Sequence, residues 1–77
     1  MSDFIVKISN PTPDVKSKVK GMGLVLDLDI DLVEIHTSGG KEKIVLESDC
    51  FSKKISKSVL GSKKKFKKAI EEVSCDA

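Results

Sequence analysis

The apolar residues of this chain change period once, and that change constrains the fold more than any other feature. Up to Glu47 they alternate, as in Phe4, Val6 and Ile8, and again in Leu24, Leu26, Leu28, Ile30 and Leu32. After Ser48-Asp49 they recur at helical spacing: Phe51, Ile55 and Val59, then Phe66, Ala69, Ile70 and Val73. A period of two belongs to strands and one of 3.6 to helices. A chain that uses both in this order is expected to lay helices on a sheet. The expected class is therefore α+β: a small antiparallel sheet of three to four strands, with two C-terminal helices packed on one face. At 77 residues the chain suffices for a single domain, strand-rich over 1–48 and helical over 49–75.

Local signals set the expected boundaries. Asp3 to Ser9 reads as a first strand, broken by Asn10-Pro-Thr-Pro-Asp14. Thr12 before Pro13 and Asp14 resembles a helix start, giving a helix from Pro13 to about Lys20 closed by Gly21. The segment Val15 to Lys20 also alternates, so a strand remains open there. Gly23 to Thr37 reads as one long strand with a bulge or bend near residues 31–33, where the alternation slips. Ser38-Gly39-Gly40 then predicts a hairpin, with Ile35 opposite Ile44, Val33 opposite Leu46, and Lys41 to Glu47 as the returning strand. Ser48-Asp49 is read as the cap of a helix that stops at Gly61, and Ser62 as the cap of the last one.

Charge divides along the same line. Residues 1–40 carry four Lys and six acids, a net of −2; residues 41–77 carry ten Lys and six acids, a net of +4. Between Lys53 and Lys68 there are eight Lys and no acid. Lys63, Lys64 and Lys65 fall in the first turn of the last helix and Glu71 and Glu72 near its end, so both groups oppose the helix dipole. An arrangement tuned only for helix stability would reverse them. Lys53, Lys54, Lys57, Ser62, Lys63, Lys64, Lys65, Lys67 and Lys68 are accordingly the candidate phosphate-binding set, and nucleic acid is the leading candidate ligand. The competing reading is a solvated lysine face produced by composition. The chain has no Arg, Trp or Tyr, which favours phosphate contact over base reading. A DNA-reading helix-turn-helix is disfavoured because Lys57, Ser62 and Lys67 stand where that motif wants small or apolar residues.

Asp27, Asp29 and Asp31 form a second candidate, since on one strand face they could hold a hard cation. An EF-hand is excluded by Leu32 and Ser38 at the positions that require Gly and Glu. His36 has no second His or nearby Cys, and no nucleophile–base set or phosphate loop is recognisable. The chain is thus expected to be non-enzymatic and to need no cofactor. The leading function is a polyanion-binding module; the alternative is a protein-interaction module or small subunit or inhibitor that presents its aliphatic and acidic sheet to a partner. A homodimer that pairs two sheets is also open. Cys50 and Cys75 read as unpaired, one at a helix start and one in a fraying tail. With no leader-like N-terminus and no apolar run long enough for a membrane span, the expected location is cytoplasmic and no membrane partner is expected.

Overall fold

A strand–helix–strand unit opens the chain and determines everything after it. The computed structural model describes residues 3–75. Strand β1 (Phe4–Ser9) points Val6 and Ile8 into the core. Thr12 then caps α1 (Pro13–Val25), its hydroxyl accepting the Val15 amide at 3.3 Å, while Pro13 takes the first helical position, where no N–H is required. α1 carries the chain back so that β2 (Ile30–Ile35) lies parallel to β1. β3 (Lys43–Glu47) pairs antiparallel with the other side of β1, and β4 (Ser52–Ile55) pairs antiparallel with β3. The sheet order is β2-β1-β3-β4. A short α2 (Lys57–Leu60) and the longer α3 (Lys63–Val73) complete the helical layer.

The α+β class and the C-terminal helical pair are as expected; several details differ. The sheet is mixed rather than antiparallel, and the helix expected from Pro13 forms but runs further than Lys20. α1 does not stop at Gly21, because Val15, Val19, Met22 and Leu26 form one helical stripe, and packing it against the core outweighs about 1 kcal/mol for each helical glycine. The helix ends instead at Val25, with Leu26 as its C-cap. Asp27 adopts a left-handed φ of 53°, its amide bonds Leu24 O at 3.3 Å, and the Leu28 amide bonds Gly23 O at 2.9 Å. The alternating run from Leu24 to Leu28 is therefore helix end and turn, and no bulged strand is needed.

The expected hairpin is also absent. β1 lies between β2 and β3, so Ile44 faces Ile8 and Leu46 faces Val6. This arrangement puts the two strands that each bury two side chains, β1 and β3, in the two interior positions. The 36–42 connection then has to cross the end of β1, where Asn10 holds it. Its side-chain amide donates to Thr37 Oγ1 at 2.8 Å and to Lys41 O at 2.9 Å, and its Oδ1 accepts the Thr37 amide at 3.0 Å.

Ser48-Asp49 opens a turn rather than a helix. The Ser48 hydroxyl accepts the Cys50 and Phe51 amides at 3.2 Å each, and the Ser48 amide bonds Phe51 O at 2.8 Å. Extended pairing brings Ile55 opposite Ile44 and leaves Phe51 exposed instead of on a buried stripe. Only Lys57–Leu60 of the expected helix forms, and it stops at Gly61. In α3 the expected stripe holds: Phe66, Ala69, Ile70 and Val73 are all buried. Finally, the cysteines are not free. Cys50 and Cys75 form a disulfide across a Cα–Cα distance of 5.4 Å, tying the β3–β4 turn to the end of α3. The Ser48 hydroxyl also donates to Val73 O at the same junction.

Candidate polyanion-binding surface

α3 sorts its lysines by the side of the buried stripe on which they fall. At 100° per residue, Lys65, Lys68 and Glu72 flank Ala69, whereas Lys63, Lys67 and Glu71 flank Ile70 and Lys64 rides the crest. The first flank faces β4. There Lys65 and Lys68 meet Lys53 and Lys54 across an open groove of about 430 Å³, whose floor includes Ile55 and Val59. β4 supplies its pair from both faces, because consecutive strand residues alternate: Lys53 is opposite Leu46 on the helix side, and Lys54 is opposite Val45 on the other. Lys53 is ion-paired with Glu72. On the helix side, Lys53, Lys65 and Lys68 against the Glu72 carboxylate leave the groove at +2, with Lys54 added from the opposite face of β4, and the Lys53–Glu72 pair is half-exposed and contributes little to stability.

The other predicted lysines are elsewhere. Lys63 and Lys67 border a separate hollow with Val25, Leu26, Leu28 and Ile70. Lys57 is held by Glu42 Oε1 at 3.1 Å, and the second Glu42 oxygen is buried without a partner among the described residues. Ser62 caps α3: its hydroxyl accepts the Lys65 amide at 3.3 Å and its carbonyl the Phe66 amide at 2.9 Å. The amides of Lys63 and Lys64 have no helical carbonyl to bond.

The acidic candidate does not assemble. Asp27 is the left-handed residue after α1, Asp29 lies in the connection, and Asp31 is on β2 opposite Ile5. Among the described residues no three His, Cys, Asp or Glu side chains converge as a metal site. His36 is exposed just beyond β2, 3.9 Å from Glu34 Oε1.

No family model matches the chain, and neither does any curated protein or solved structure.

Sequence reasoning missed three structural devices: the Asn10 latch, the Ser48 junction and the disulfide. Asn10 carried a usable signal, since Asn before Pro in a break tolerates positive φ and bonds neighbouring backbone. The disulfide carried none, because 25 positions separate its partners. Among the described residues no helix is long and apolar enough to cross a membrane.

Proposed function

We propose that the chain is a small non-enzymatic binding module that engages polyanions, above all nucleic-acid phosphates, through the β4–α3 groove. The observation that supports this reading is the meeting of Lys53, Lys54, Lys65 and Lys68 from two elements around one open groove. A lysine run that was mere solvated composition would have no reason to gather from a strand and a helix. Without Arg the groove contacts phosphate as a set of point charges and does not read bases. Phe51, exposed two residues before Lys53, offers one stacking surface for an unpaired base. Salt-dependent titration with duplex and single-stranded nucleic acid tests the reading, with Lys65→Glu and Lys68→Glu as the disabling pair.

A second reading, binding of a protein partner through the sheet, is favoured by a different observation. The face opposite the helices carries Ile5, Val33, Ile35 and Val45 with no element over them among the described residues, and Val33 and Ile35 are exposed. The disulfide moves the proposed setting from the reducing cytosol toward an oxidising environment, where such bonds persist.

A further inference from the structure

The disulfide joins the two elements whose lysines form the groove. Cys50 lies two residues before β4 and Cys75 two residues after α3. Lys53 follows Cys50 by three positions and Glu72 precedes Cys75 by three, and these two side chains meet as an ion pair across the groove. The Ser48 hydroxyl on Val73 O belongs to the same end. Both cysteine residues are exposed, which lets a thiol in solution approach the bond while the core stays closed. Thiol–disulfide exchange depends on that access.

Charge gives the bond a consequence for binding. Lys53, Lys65 and Lys68 stand together on the helix side of the groove. Their ammonium groups repel, and the half-exposed Lys53–Glu72 pair offsets this only weakly. A covalent bond at the end of the groove keeps β4 and the last turn of α3 in register whether or not an anion is present. The oxidised form therefore meets a polyanion with its lysines already placed. The reduced form has to order the same two elements on binding, which lowers its affinity.

We propose that the Cys50–Cys75 disulfide is a redox switch on the β4–α3 groove: reduction by a dithiol lowers the groove's affinity for polyanion, and bound polyanion protects the bond in turn. The switch rests on the polyanion reading of the groove and adds its regulation. In the step itself, a thiolate of the dithiol attacks one cysteine sulfur, the S–S bond breaks, and the other cysteine leaves as thiolate and takes a proton. The second thiolate of the reductant then displaces the first cysteine and closes the reductant's own disulfide. Two electrons and two protons pass from the dithiol to the protein. Because both states belong to one thermodynamic cycle, the factor by which reduction weakens binding equals the factor by which binding resists reduction.

Titration of a short labelled duplex DNA tests the proposal, with the full chain oxidised or held in excess dithiothreitol, in about 50 mM salt and at about 15 °C, where a small domain is near its greatest stability. The reduced protein should keep its far-ultraviolet circular dichroism and bind about fivefold or more weakly. In buffers of graded dithiothreitol redox ratio, saturating duplex should shift the half-reduction point by that same factor. The shift should vanish in the Lys65→Glu, Lys68→Glu variant. Equal affinities of the oxidised and reduced forms overturn the switch and leave the groove reading standing. Absence of binding by the oxidised protein overturns the groove reading and the switch with it. Loss of the circular dichroism signal on reduction also overturns the switch, since the bond is then a staple for the whole fold. So does a shift of the half-reduction point that persists in the double variant.

Discussion

Removal of the Cys50–Cys75 disulfide should cost the domain a large share of its stability. The bond closes a loop of 25 residues. Chain-entropy arithmetic, −2.1 − 1.5R ln n, gives about 12 cal/mol/K, or about 3.5 kcal/mol at 25 °C. A 77-residue domain has about 4–11 kcal/mol of stability in total, so this one bond accounts for about a third of it or more. Once the bond is broken, the Ser48 hydroxyl still donates to Val73 O and Lys53 of β4 still pairs with Glu72 of α3. Thermal unfolding followed by far-ultraviolet circular dichroism, with and without excess phosphine, should show a midpoint about 20 °C lower after reduction. The Cys50→Ser, Cys75→Ser double variant should reproduce the reduced protein. A midpoint shifted by less than about 5 °C would refute the estimate. Two titratable thiols in the native, unreduced protein would refute the bond itself.

Three further outcomes are expected. Asn10→Ala removes three hydrogen bonds and places a less tolerant residue at φ 52°; it should cost about 1–3 kcal/mol in denaturant unfolding and speed amide exchange across residues 36–42. Ser48→Ala should destabilise by about 1–2 kcal/mol, and by a clearly different amount in the disulfide-free background, since both devices secure one junction. Glu72→Gln frees Lys53 and raises the groove charge; it should leave the unfolding midpoint nearly unchanged while tightening polyanion binding a few-fold.

What was legible in the sequence is what local chemistry specifies. Ser62, Phe66, Ala69, Ile70 and Val73 define α3 without outside help, because cap and stripe agree. Thr12-Pro13 opens α1 for the same reason. The misreadings fall where two patterns fit one segment. Leu24, Leu26 and Leu28 satisfy a strand period, but Val15, Val19, Met22 and Leu26 satisfy a helical one, and packing against the core decides between them. Phe51, Ile55 and Val59 fit a helix, yet pairing of Ile55 with Ile44 makes the segment strand. Gly39-Gly40 signals a reversal but not which strand lies alongside; that depends on β1 taking the place between β2 and β3. The lysine cluster was legible only as a list. Division of the list into Lys53, Lys54, Lys65 and Lys68 in one groove and the rest elsewhere needed β4 to be a strand. The dispersal of Asp27, Asp29 and Asp31 follows equally from α1 running on to Val25.

The central claim is that four lysines from β4 and α3 act together on phosphate. Its most direct measurement is the affinity for duplex DNA across a salt series. Three to four phosphate contacts predict a slope of log K against log salt of about −3. Lys65→Glu with Lys68→Glu should bring that slope near zero, whereas Lys63→Glu with Lys67→Glu, on the far flank of α3, should leave most of it. Absence of binding at about 50 mM salt, or equal losses from the two pairs, would contradict the claim.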